Sequence, residues 1–344
     1  MLRHFLLAGL SGIALTFTGF AANAADVTLK LHQMLPPQAT IPAKVLTPWA
    51  EKIKADSGGR IEVELYPAMQ LGGKPADLVD QVKDGVVELT WTLFGYTPGR
   101  FPKSEAFELP FMVTTAEATS VAFQDYADKH LKDELAEYHV LAVHTHGPGL
   151  IHTIAAKPVQ KLEDMQGLKL RGTSKVVNQM LEAMGASAVG MPVTAVPESL
   201  SKSVIDGSVV PWEVTPAIKI AELAPNHTAF SGGTGLYTGT FVFAMNKDSY
   251  DALPDDLKAV IDANSGKELA RLFGKAMDEG DIRGKDIAGK AGNTTFTLDE
   301  AETARWKAAG EAVTKAWIAD MDAKGLDGTG LYNDATALIS QYSK

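Results

Sequence analysis

The chain of 344 residues contains no cysteine. That excludes disulfides, thiol nucleophiles and cysteine-ligated metal, and leaves stability to a packed core. A 45% hydrophobic content is enough to build one large domain or two medium ones. Beyond the first residues no stretch is long and apolar enough to cross a bilayer. Basic residues are outnumbered, 32 against 42, for a net charge of −10, which argues against nucleic acid or an anionic lipid surface as partner. A small anion is still compatible, since one cationic cleft can sit within an acidic surface. Catalytic signatures are missing too: there is no Gly-x-Ser-x-Gly elbow and no His-Glu-x-x-His zinc helix. The glycine-rich run Gly232–Gly239 lacks a phosphate loop's Lys-Ser/Thr and leads into a strand, so it reads as flexible backbone between lobes.

The start of the chain carries an address. Met1-Leu-Arg-His is followed by an apolar run from Phe5 to Phe20 and by Ala21-Ala-Asn-Ala-Ala25. A positive start, a short greasy centre and an Ala-x-Ala ending predict a secretory signal peptide over residues 1–25, hence an exported, periplasmic protein.

The remainder alternates strand and helix. Val27–Gln33 and Arg60–Tyr66 alternate apolar and polar residues as strands do, and between them Val45, Trp49 and Ile53 recur at helical spacing. A helix over 75–83, a turn at Asp84-Gly85 and a strand over 86–91 follow. The same grammar returns later: a strand at 168–170, a helix over 175–184, a helix over 197–203, a turn at Asp206-Gly207 and a strand at 208–210. In both halves a helix ends at Asp-Gly and a strand leads to a tryptophan, Trp91 in one and Trp212 in the other. The expectation is two similar α/β lobes, each offering an indole at its edge. The apolar spacing from 254 to 290 predicts a helix too long for one lobe, kinked, split near Gly280, or bridging the two. Thr297-Leu-Asp-Glu300 reads as a capping box opening the next helix.

Arg171 stands where the 168–170 strand gives out. A guanidinium is always charged and suited to paired hydrogen bonds with a carboxylate, and strand ends in α/β folds face the ligand crevice. Phe94 and Tyr96 follow another strand end. His144 and His146 share one strand face, but no third donor stands in a recognisable pattern, so no metal centre is expected. Glu62 and Glu64 lie on a solvent face.

Several motifs occur in a telling order: Trp49-Ala-Glu-Lys-Ile-Lys, Gly59-Arg-Ile-Glu-Val-Glu-Leu-Tyr-Pro67, Gln70-Leu-Gly72, Lys83-Asp-Gly85, Glu108-Leu-Pro-Phe111, Met165-Gln-Gly-Leu-Lys-Leu-Arg171 and Val204-Ile-Asp-Gly207. This set resembles the TRAP-transporter solute-binding proteins of the DctP family over essentially the whole mature chain. The resemblance implies an α/β periplasmic binding protein of two lobes with mixed, largely parallel sheets and a long helix spanning both. It implies closure over an organic acid and delivery to small and large TRAP membrane permease subunits, with no enzymatic activity and no cofactor. Lobe I would comprise 26–148 and about 232–275, lobe II 149–231 and about 276–320, and 321–344 a helical tail.

The resemblance makes Arg171 the partner of the ligand carboxylate. A second arginine found in sialate-binding members is missing, with Ile151 or His152 in its place. Val210 stands where an asparagine is common, and Leu93 where an acidic partner for sugar hydroxyls occurs. Losing such partners favours a ligand with an apolar body. With Trp91 and Trp212 added, the expected ligand is a monocarboxylate with an aromatic or hydrophobic body. C4-dicarboxylates, 2-oxo acids and sugar acids are the alternatives, as are an ABC-type binding protein and an exported enzyme acting on an organic acid. Trp212-Glu213 resembles, in reversed order, a pair through which some relatives hold a bridging cation, so Glu213 would be a metal ligand only if such a cation is bound. Lys74, after a glycine turn, could add charge to the cleft.

Overall fold

A computed structural model describes residues 25–343. The predicted signal peptide falls almost wholly outside the described residues. Eleven strands are present among them: β1 (Val27–Gln33), β2 (Ile61–Tyr66), β3 (Leu89–Leu93), β4 (Tyr138–Thr145), β5 (Leu150–Thr153), β6 (Lys169–Gly172), β7 (Ser187–Gly190), β8 (Gly207–Val210), β9 (Asn226–Phe230), β10 (Thr240–Asn246) and β11 (Thr294–Leu298). They form two sheets, ordered β2-β1-β3-β10-β4 and β11-β9-β5-β8-β6-β7.

Each sheet is parallel except for one strand, β10 in the first and β5 in the second. The reason lies in how the chain crosses between lobes. β4 runs through 146–149 into β5, and β9 runs through 231–239 into β10. The parallel strands all end at the cleft, where open α/β sheets place their ligands. A strand entering from the other lobe starts at the cleft and must therefore run the opposite way. The two crossings are themselves paired: Gly149 N–H donates to the Tyr237 carbonyl at 2.9 Å and Leu236 N–H to the Gly149 carbonyl at 2.9 Å. β3 and β8, the strands after the two Asp-Gly turns, occupy matching places, each between a parallel neighbour and the crossing strand.

The helix Lys267–Lys290 straps both lobes. Its first half lies on the helix Ala116–His130, and Gly274 is needed there because a Cβ would come within 2.5 Å of the Ala116 carbonyl oxygen. Its second half passes the second lobe, where a Cβ on Gly284 would sit 2.0 Å from the Trp212 carbonyl oxygen. Two acids on this helix hold both sides. Asp278 accepts from the Ala116 and Glu117 N–H groups at 2.7 and 3.0 Å, and Asp281 from the Glu213 N–H at 2.7 Å. Of the alternatives for 254–290, the bridging one describes Lys267–Lys290, while the split falls at Gly266, φ +75°, and not near Gly280. Gly280 stays helical and serves close approach to Glu213. Thr297 is likewise not a cap: it lies in β11, paired with Ala229, and the helix Glu300–Ala323 is capped by Asp299, which accepts from the Glu302 N–H. That helix runs from Phe230 of the second lobe, met by Trp306, to Glu105 of the first, met by Trp317. Among the described residues no helix is long and apolar enough to cross a membrane.

Candidate functional site

The lobes meet over a cavity lined by Met34, Trp91, Leu93, Tyr96, His146, Arg171, Thr173, Val193, Val210, Pro211, Glu213, Val214, Tyr237, Phe241 and Met277. The lobes touch directly beside it, the Val193 N–H donating to the Tyr96 hydroxyl at 2.9 Å. Among the described residues lining the space, Arg171 is the one permanent cation and Glu213 the one carboxylate; most of the rest is apolar.

Arg171 is 1% exposed. β6 places it at the sheet's cleft end, and three neutral acceptors fix its plane. Nε donates to the Met191 carbonyl at 2.8 Å, and Nη1 to Thr173 Oγ1 at 3.0 Å and, more weakly, to the Val209 carbonyl at 3.4 Å. Nη2 has no partner. No carboxylate pairs with this guanidinium among the described residues. A buried donor and its charge left uncompensated are costly, so the arrangement is suited to an anion supplied from outside. Tyr237 donates its hydroxyl to the Val209 carbonyl at 2.9 Å, and burial raises its phenol to about 12, so it remains a neutral donor.

The opposite wall is a stack of flat rings. Trp91 lies parallel to Phe241 at 5.2 Å, and its indole N–H donates to His144 Nε2 at 2.8 Å. His144 stacks on Phe273 at 4.2 Å on its other side. Burial pushes His144 down to about 3 and His146 to about 4. His146 is neutral, with Nδ1–H donating to the Gly147 carbonyl at 2.6 Å and Nε2 accepting from the Gly239 N–H at 2.8 Å. Both ring nitrogens are spent on the lobe crossings, which leaves neither for metal or proton transfer. Among the described residues no group of three or more His, Asp or Glu is placed to hold a metal ion.

Of the residues singled out in the sequence, Arg171, Trp91, Leu93, Tyr96, Val210 and Glu213 converge on the cavity, and four do not. Trp212 lies outside the cavity lining, in the turn that follows β8, with its ring 5.2 Å from His152 and 4.6 Å from His227. His152 is buried on that same side, bonded to His227 at 2.8 Å and to the Val210 carbonyl. Phe94 packs into the first lobe's core against Phe101 and Phe123. Lys74 is exposed and outside the cavity lining, its backbone N–H bonded to Asp77. The cavity residues that sequence reasoning missed include Thr173, Tyr237, Phe241 and Met34. Thr173 had a signal, since it follows Arg171 by two positions and so shares its face; Met34 directly follows β1, and Tyr237 and Phe241 reach the site through the second lobe crossing.

A cleft between two α/β lobes, with a buried unpaired arginine and no nucleophile–base pair among its lining residues, defines the class: a solute-binding protein of the periplasmic type. Residues 32–320 match the family described as bacterial extracellular solute-binding protein, family 7 (DctP), and the chain belongs to that family, as a TRAP solute-binding protein. It is 51% identical, with a TM-score of 0.91, to a marine-metagenome TRAP solute-binding protein specific for aromatic acid ligands and co-crystallised with 3-hydroxybenzoate; the match covers 93% of this chain and all of that one. A TRAP solute-binding protein from Rhodoferax ferrireducens, in complex with copurified benzoate, is 46% identical (TM-score 0.90, covering 92% of this chain and 98% of that one). A third, from Bordetella bronchiseptica with bound (R)- and (S)-mandelate, is 32% identical (TM-score 0.83, 91% and 99%).

Proposed function

We propose that this protein captures an aromatic monocarboxylate between its lobes and presents it to the small and large membrane subunits of a TRAP permease. The observation that carries this reading is the Arg171 Nη2, a buried donor on a fixed guanidinium with no partner inside the protein. A ligand carboxylate completes it with a charge-assisted hydrogen bond. Trp91 and Phe241 offer flat faces to a ring, and Leu93 and Val210 replace the polar partners that sugar hydroxyls need. The aromatic acids held by relatives at 51%, 46% and 32% identity support the same class.

Binding drives closure. In an open form Arg171 and the rings are hydrated, and the full set of contacts exists only when the lobes meet, so ligand shifts the population toward the closed form. The lobes in this reading comprise 26–148 with about 232–275 and 149–231 with about 276–320, followed by the tail 321–344. The protein reaches the periplasm through its N-terminal leader, residues 1–25. It binds without turnover, a view supported by the engaged nitrogens of His146.

Calorimetric titration tests the reading. Benzoate, hydroxybenzoates and mandelate should bind far more tightly than succinate, pyruvate, glucuronate or sialate. Tight binding of sialate or a uronate, with no affinity for aromatic or aliphatic acids, would sink it. Native mass spectrometry of protein purified without refolding should show a retained aromatic acid and no product after prolonged incubation.

A further inference from the structure

Arg171 is not the only lining residue left incomplete. Glu213 is 5% exposed, and its Oε1 is buried with no hydrogen-bond partner. The side chain is deliberately seated: a Cβ on Gly280 would come 2.6 Å from Glu213 Cγ, so the long helix leaves a gap for it, and Asp281 fixes its backbone N–H at 2.7 Å. Thr40 is the side chain that approaches its carboxyl. Burial raises this carboxyl to about 7, so near neutral pH it can both donate and accept a hydrogen bond. Arg171 and Glu213 line one cavity, yet no ion pair joins them, and their neighbours differ: Met191, Thr173 and Val209 around the guanidinium, Thr40, Gly280 and Asp281 around the carboxyl. The rest of the lining is largely apolar and aromatic, with Tyr96, His146, Thr173 and Tyr237 as its other polar side chains. An occupant satisfying both carries a carboxylate at one end, a ring in the middle and a hydroxyl elsewhere on that ring.

We propose that Glu213 is a specificity-determining residue that selects, among aromatic monocarboxylates, those bearing a ring hydroxyl. This rests on the reading that the cavity holds an aromatic carboxylate. A site built to bond a hydroxyl penalises the analogue lacking it, because its buried polar atom then stays unpaired. An apolar wall at that point would show no such preference.

The test is calorimetric titration with benzoate, 3-hydroxybenzoate, 4-hydroxybenzoate and 3- and 4-methylbenzoate, the methyl compounds matching shape without the hydrogen bond. Wild type should bind one hydroxybenzoate roughly ten- to a hundredfold more tightly than its methyl counterpart. Glu213→Gln, which keeps a donor and an acceptor, should retain most of that ratio. Glu213→Met should abolish it, binding each hydroxybenzoate and its methyl counterpart equally. Equal binding of hydroxy and methyl ligands by wild type overturns the proposal without any variant. So does a Glu213→Met protein that weakens every ligand in proportion, which would make the residue merely structural. Benzoate binding without hydroxyl preference refutes this inference alone; failure of every aromatic acid to bind refutes the underlying function as well.

Discussion

Replacing Arg171 by methionine separates a ligand-binding arginine from a structural one. In the wild type the guanidinium is 1% exposed and anchored only by neutral acceptors, Met191 O, Thr173 Oγ1 and Val209 O, with Nη2 unpaired. The ligand supplies the compensating charge. Truncating one member of a buried, hydrogen-bonded charge pair costs about 2–5 kcal/mol, a loss of roughly 30- to 5,000-fold in affinity. The ligand-free protein should respond little, because in its open form the guanidinium is hydrated and carries no burial cost for methionine to relieve. The expected outcome for Arg171→Met is therefore a melting temperature near that of ligand-free wild type, with ligand-induced stabilisation largely gone. Titration calorimetry measures the first effect and differential scanning calorimetry the second. An affinity within threefold of wild type, or a ligand-free protein that melts far lower while binding normally, would refute the argument.

The two tryptophans should behave differently despite their matching sequence context. Trp91→Leu removes a ring from the cavity wall and leaves His144 Nε2 without its donor, so affinity should fall by about tenfold or more; Trp212→Phe, on the far side of the strand end, should stay within threefold by the same titration. Gly284→Ala should destabilise by about 3 kcal/mol or more, because its Cβ meets a backbone oxygen that has little room to move. Gly289→Ala in the same helix meets nothing within 4 Å and should stabilise by about 0.5–1 kcal/mol; urea denaturation of both checks the pair. Glu213 has its folded-state pKa raised to about 7 from 4.5, so its contribution is fully present below about 4.5 and lost as pH rises through 7. Glu213→Gln should then match wild-type stability near pH 4 and exceed it by a few kcal/mol near pH 8; a stability difference that does not change with pH would contradict this.

Where sequence reasoning succeeded, the signal was local. The place of Arg171 in the cavity was legible because it stands next to the end of a short strand, β6. The similarity of the lobes was legible because helix, Asp-Gly and strand recur in order, and β3 and β8 do hold matching places. Where reasoning failed, the question was which way a residue turns after an element ends. Trp212 and Trp91 have the same flanking grammar, but Trp91 lies within β3 whereas Trp212 falls in the turn after β8 has ended, with its indole against His152 and His227. Thr297 and Glu300 have capping-box spacing, yet pairing with Ala229 draws Thr297 into β11. Gly280 looked like a helix break and instead makes room for Glu213, while the break falls at Gly266.

The sequence by itself determined the α/β alternation, the absence of thiol chemistry and the lone arginine at a strand end, because each depends on residues within a few positions of one another. Only the tertiary structure decided which side chains share the cavity. Met34, Trp91, Arg171, Glu213 and Tyr237 lie on different segments of the chain, and they meet because two crossings and one long helix bring the sheets' cleft ends face to face. Two buried polar atoms without partners, Nη2 of Arg171 and Oε1 of Glu213, also emerge only there. Whether a polar atom is satisfied depends on every segment packed around it, and no local pattern records that.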